Sequence, residues 1–232
     1  RAVVTLHDLG YLHYPEAHRA GDRRYLHWST RWSARRASAV IADSGATRDD
    51  LIAAYRVPAG KIHVVYLGRD ESLRPVTAAA VLQDLRARYA LGERYLVYVG
   101  TLQPRKNLAR IIEAFARVAG RELFAGVRLV LAGKKGWLYD DLFAQVGRLG
   151  LGGRVLFPGY IPDADLPALL SGGQAFVFPS LYEGFGWPPH LEYGAAVQRI
   201  MELEPIIGVG TAPVDTVAAL KALTTLHATP PE

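Results

Sequence analysis

From residue 95 to residue 179 the chain alternates short apolar runs with amphipathic stretches. "YLVYVG" (95–100), "VRLVLAG" (127–133), "RVLF" (154–157) and "AFVFP" (175–179) are short, apolar and flanked by Gly or Pro, so they predict buried strands. Between them, Leu108, Ile111, Ile112, Phe115 and Val118 share one helical face, and Leu142, Val146 and Leu149 mark a second helix. Asp163 to Leu170 predicts a third helix. The first segment repeats the theme. "AVVTL" (2–6), "SAVIADS" (38–44) and "IHVVYLG" (62–68) read as strands, with helices over 22–37 and about 47–55. Strands alternating with helices imply right-handed crossovers and parallel sheets covered on both faces, an α/β class.

The rhythm divides the chain. Residues 1–68 read as the end of one α/β domain and 93–193 as most of a second. Residues 69–92, with Pro75 and an Ala-rich patch, read as a connection, and 194–232 as a divergent helical tail. The chain begins inside a predicted strand and its single Met is Met201, so a further upstream part is expected.

Composition narrows the chemistry. With no Cys, disulfides, thiol catalysis and thiolate metal sites are excluded. No run of about 18 apolar residues predicts a membrane span. A net charge of +5, from 27 basic and 22 acidic residues, favours an anionic partner. No zinc-ligand spacing, basic run or RNA-binding signature points to nucleic acid, and the histidines share no metal-ligand spacing.

Ligands of open α/β sheets bind beyond the carboxyl ends of the strands. After strand 95–100 comes "GTLQPRKN", which puts Arg105 and Lys106 immediately before a helix. Two cations beside unpaired helix amides suit a phosphate; the plain alternative is two solvated charges. After strand 175–179 comes "SLYEGFGWPP". Gly184 and Gly186 let backbone amides approach a ligand closely. Glu183 could accept hydrogen bonds from sugar hydroxyls, or be an ordinary loop acid. His7 and Asp8 stand at the end of strand 2–6, where a cleft residue belongs, although a lone His is more often structural. On helix 22–37, Tyr25, Trp28 and Trp32 share one face among Arg23, Arg24, Arg31, Arg35 and Arg36. The favoured expectation is a stripe facing the core; the sharper one is contact with an anionic membrane or acceptor.

Taken in order, "VVTLHDLGYLHYPE", "ARRASAVIADSGATRDDL", "KIHVVYLGRD", "YVGTLQPRKNLARIIEAFARV", "LVLAGKKGWLYDDL", "RVLFPGYIPDADLPALL" and "AFVFPSLYEGFGWPP" resemble successive blocks of the group 1 retaining glycosyltransferases, family four. The resemblance spans about residues 1–193 and is strongest to a bacterial mannosyltransferase-like branch that builds surface polysaccharides. It implies a GT-B architecture, two Rossmann-like domains facing a donor cleft. It implies transfer of a hexose, mannose, from a nucleotide diphosphate sugar such as GDP-mannose, with no metal or other cofactor. The acceptor would be a saccharide or a polyprenyl-linked saccharide at the cytoplasmic face of the membrane.

The resemblance also distributes roles. His7 and Glu183 would be the catalytic pair facing the donor sugar. Arg105, Lys106 and the amides of Phe185 and Gly186 would hold the diphosphate. Gly184, Tyr160 and Ile161 would serve the sugar and base, and Glu192 the ribose. The family separates its two glutamates by seven residues. Here eight lie between Glu183 and Glu192, and one residue is about 100° of helix rotation, so Glu192 is the doubtful member. From Tyr193 the sequence departs from the family pattern. An inactive remnant that still binds sugar nucleotides is the alternative to an enzyme, and a scaffold built on the Arg-rich helix is a third reading.

Overall fold

The computed structural model describes residues 2–67, 73–136 and 139–185. They fall into two compact units, one formed by residues 2–67 with 181–185 and the other by residues 73–136 with 139–180. Each has its own hydrophobic core and its own wholly parallel sheet.

In the first unit the sheet runs β1 (Val3–Leu6), β2 (Ala39–Ala42), β3 (Ile62–Val64), in that spatial order. The short helix α1 (Gly10–His13) and the long α2 (Ala20–Arg36) join β1 to β2, and α3 (Gly45–Tyr55) joins β2 to β3. The Ser44 side chain accepts from the Thr47 amide at 3.0 Å, capping α3 at its start. Leu9, Val40, Ala42 and Leu51 are wholly buried between sheet and helices. β1 and β2 pair with Leu6 opposite Ala42, so the residues that follow, 7 and 43, emerge side by side.

The aromatic stripe does not face this core. α2 buries Thr30 and Ala34, whereas Tyr25, Trp28 and Trp32 are 65, 61 and 54% exposed. At about 100° per residue, the line through Leu26, Thr30 and Ala34 lies half a turn from the aromatic line. Small residues let α2 pack closely on the sheet, and this puts the large rings outside. Trp28 and Trp32 stack at 6.3 Å, and the Arg36 guanidinium lies 5.9 Å from the Trp32 ring.

The second unit orders its strands β6 (Val155–Gly159), β5 (Val127–Ala132), β4 (Arg94–Val99), β7 (Ala175–Phe176). Helices α5 (Leu108–Ala119), α6 (Asp140–Arg148) and α7 (Leu166–Gly172) form the crossovers. The α5 face expected from the sequence is buried: Ile111, Ile112, Phe115 and Val118 are fully enclosed. Tyr95 and Tyr98 are also enclosed on β4, and the Tyr95 hydroxyl donates to the Leu169 carbonyl at 2.7 Å. Within 69–92, the Ala-rich patch forms helix α4 (Ala79–Arg88), as its strong helix formers favour. Arg88 and the Tyr89 hydroxyl fasten that helix to Asp165, beside the start of α7.

β4, β5 and β6 continue to pair beyond their carboxyl ends. Gly100 N donates to Ala132 O, Gly133 N to Gly159 O, and Leu102 N to Lys134 O. Gly100 and Gly133 make this possible. Both have positive φ, and a Cβ on Gly133 would overlap the Gly100 carbonyl oxygen and stand 2.6 Å from its carbon. The chain order reverses between β4 and β7, so the second unit has its switch point there.

Candidate functional site

At that switch point the loop after β4 carries Arg105 and Lys106. They occupy a tight turn, Pro104–Lys106, closed by Lys106 N donating to Gln103 O at 3.0 Å. Asn107 follows in the left-handed region, φ 57°, a conformation Asn tolerates better than most residues. Its side chain does not cap α5. Instead the amide donates to the Pro179 carbonyl at 3.2 Å, which ties the loop after β4 to the loop after β7. Arg105 is buried, and the Lys106 ammonium lies 5.5 Å from the Phe178 ring. The result is a cationic turn beside an uncapped helix start, a suitable environment for an anion.

The adjacent strand ends add to this edge. Lys134, just past β5, places its ammonium 4.8 Å from the Tyr160 ring, just past β6. Tyr160 is 54% exposed, and its hydroxyl donates to Asp163 at 3.3 Å. Ile161 is buried in the core, so its backbone, not its side chain, is what it can offer a ligand.

The first unit carries a second cluster. His7 follows β1, and its Nδ1 lies 2.5 Å from Asp43 Oδ2. The Thr47 hydroxyl donates to the His7 carbonyl at 3.0 Å, and the Ser44 hydroxyl donates to the Gly184 carbonyl. Gly184 is packed so closely on this strand end that a Cβ would overlap the His7 carbonyl oxygen and sit 2.5 Å from the Asp8 Cβ. Glycine is needed here for space.

On one side of Gly184, Phe185 meets the Tyr66 ring at 6.0 Å. On the other, the Tyr182 hydroxyl donates to Asp50, which also receives His13 Nε2 at 2.8 Å. The His13 and Tyr182 rings stack at 4.6 Å. Burial first, and the bond to Asp50 second, push the Tyr182 phenol well above its ordinary range, so it stays a donor. Glu183, half-buried, is thus held between two anchored neighbours.

Of the residues singled out from the sequence, His7, Glu183, Gly184 and Phe185 fall in the first unit, and Arg105, Lys106, Tyr160 and Ile161 in the second. Gly186 and Glu192 lie outside the described residues. Sequence reasoning passed over Asp43, Ser44, Thr47, Tyr182, Asn107 and Lys134. Asp43 had a signal: parallel pairing of 2–6 with 38–44 places residue 43 next to residue 7. Among the described residues no group of three or more His, Asp or Glu is placed to hold a metal ion.

Comparison with known families gives two adjoining matches. Residues 1–73 match "Glycosyltransferase Family 4" and residues 84–196 match "Glycosyl transferases group 1". Among curated proteins, the chain is 34% identical over 188 residues to the O-antigen chain mannosyltransferase B of Escherichia coli, covering 81% of this chain and 49% of that protein. It is 32% identical to the alpha-D-kanosaminyltransferase of Streptomyces kanamyceticus, covering 79% and 48%. Among solved structures, Anabaena Alr3699/HepE in complex with UDP and glucose superposes with a TM-score of 0.61 at 27% identity, covering 81% of this chain and 47% of that one. The chain spans about half the length of these relatives.

Proposed function

Since the chain belongs to the group 1 glycosyltransferases and has their GT-B class of α/β fold, we propose that it transfers a hexose, mannose, from a nucleotide diphosphate sugar to a saccharide or lipid-linked saccharide in surface polysaccharide synthesis. The observation that carries this reading is the cationic turn at the second unit's switch point, with Arg105 and Lys106 beside an uncapped helix start. A leaving nucleoside diphosphate gains negative charge as the sugar departs. Fixed cations and amides offset that charge without a metal. Arg105 and Lys106 take this role.

Glu183 and His7 address the hydroxyls of the donor sugar, with Gly184 letting the backbone close on the strand end. Tyr160 offers a flat exposed ring, and Ile161 its backbone, to the base. The preference for mannose, and for GDP as its carrier, is supported by the likeness to an O-antigen mannosyltransferase.

A panel of nucleoside diphosphates and nucleotide sugars tests the reading. A cognate diphosphate at a hundred times its Kd is expected to raise the melting temperature by about 5–10 °C. The matching sugar donor is expected to be turned over. If no member of the panel shifts the melting temperature, the reading fails. A shift without turnover reduces the chain to a sugar-nucleotide binder.

The exposed face of α2 supports a peripheral site of action at the cytoplasmic face of the membrane, where a polyprenyl-linked acceptor would be met. Tyr25, Trp28 and Trp32 present amphipathic rings among the arginines of the same helix, the combination that suits an anionic lipid surface. No helix among the described residues is long and apolar enough to cross a membrane. The chain is expected to sediment with phosphatidylglycerol vesicles at low salt. Trp28→Ser with Trp32→Ser should lower the bound fraction about tenfold. Equal sedimentation of the double variant would rule this face out.

A further inference from the structure

We propose that Asp43 is a positioning residue for His7, and that the turn it opens, residues 43–47, sets His7 and the loop around Glu183 in register with each other. The proposal rests on the reading of His7 as a group that faces the donor sugar.

The Asp43 side chain is 4% exposed and the His7 side chain 73%. A buried carboxylate therefore holds one edge of a ring whose remainder is open. A carboxylate offers only lone pairs, so the His7 nitrogen it meets, Nδ1, carries a proton. In the neutral ring Nε2 is then bare, an acceptor on the far side of the imidazole. A sugar hydroxyl can donate to a nitrogen in that state but not to one that already bears hydrogen. Asp43 thus chooses the tautomer and fixes the ring's direction, as partners of functional histidines do elsewhere.

The same turn also fixes the backbone. Thr47 has one hydroxyl proton and gives it to the His7 carbonyl at 3.0 Å. Ser44 has one and gives it to the Gly184 carbonyl, next to Glu183. Within five residues the turn holds the His7 ring, the His7 backbone and the backbone beside Glu183. The tight packing of Gly184 against His7 and Asp8 leaves this loop little freedom to shift on its own.

Nitrogen-15 NMR of the full chain, labelled at histidine, reads the tautomer directly. The His7 signals are assigned by difference against His7→Gln at about pH 8.5, where an ordinary imidazole is neutral. The wild-type ring is expected to show a protonated Nδ1 and a bare Nε2. Asp43→Asn, nearly isosteric, is expected to shift the ring towards the opposite tautomer while the melting temperature moves by less than about 3 °C. In transfer assays the same variant should lose about a hundredfold in kcat, with donor KM within about threefold.

A wild-type ring protonated at Nε2, or a tautomer unchanged by Asp43→Asn, overturns the proposal. So does a kcat within about twofold of wild type. If the wild-type chain transfers no sugar, the functional reading fails separately, and the NMR result still decides the role of Asp43.

Discussion

Gly133→Ala is expected to be the most damaging single-methyl change in the described part of the molecule. The added Cβ would overlap the Gly100 carbonyl oxygen and stand 2.6 Å from the carbonyl carbon. Both obstacles are backbone, so no side chain can turn aside to relieve them. The φ of 144° adds a conformational penalty for any residue with a Cβ. Relief by moving the chain would break Gly133 N to Gly159 O and Gly100 N to Ala132 O, which extend the pairing of three strands. The combined cost is about 3 kcal/mol or more, a fall in melting temperature of about 10 °C. Thermal unfolding followed by circular dichroism measures it. Gly126→Ala is the control: it also has positive φ, 73°, but nothing within 4 Å of its Cβ. It should cost only the conformational term, about 1 kcal/mol. Equal losses in the two variants would show that crowding against Gly100 contributes nothing.

The second large effect is functional. Lys106→Ala is expected to lower sugar transfer by about a hundredfold to a thousandfold, the usual consequence of removing a fixed group that meets developing charge. It should also weaken binding of the nucleoside diphosphate product, measurable by titration calorimetry. Lys106 is half-buried and its contact with the Phe178 ring contributes about 1 kcal/mol, so the melting temperature of the variant is measured beside its turnover. Lys106→Arg keeps the charge but changes a compact ammonium into a planar fork, so partial recovery is expected. Unchanged turnover in Lys106→Ala would remove this turn from the reaction.

Much of the fold was legible because burial imposes regular periods. Strand β4 reads as an uninterrupted apolar run since helices cover both of its faces, and the α5 face repeats at helical spacing for the same reason. The candidate cations were legible because a parallel sheet sends its loops to one edge, and Arg105 and Lys106 stand in the loop between a strand and the next helix. The aromatic stripe of α2 misled. Periodicity shows that Tyr25, Trp28 and Trp32 share a face, but not which face turns inward. That choice fell to Thr30 and Ala34, whose small side chains let the helix approach the sheet.

Partnerships across the sequence were hidden for a different reason. That Asp50 would hold Tyr182, or Asn107 the Pro179 carbonyl, depends on where distant loops return. No local pattern encodes such a meeting. The exception, Asp43 beside His7, was available in principle, since strand register alone brings them together.

The bond from Ser44 to Gly184 joins residues 140 apart in sequence. Synthesis runs from the amino end, so the donor is made long before its acceptor. At about 5–20 residues per second, a ribosome needs roughly seven to thirty seconds to cover that interval. For most of it, β1, β2 and α3 are already made, but the segment that packs against His7 and Asp8 does not yet exist. The nascent first unit must remain competent to receive a late-arriving piece of chain while the whole second sheet is being translated. Slow decoding between codons 68 and 180 would lengthen that wait, so the order of synthesis bears on the yield of native protein.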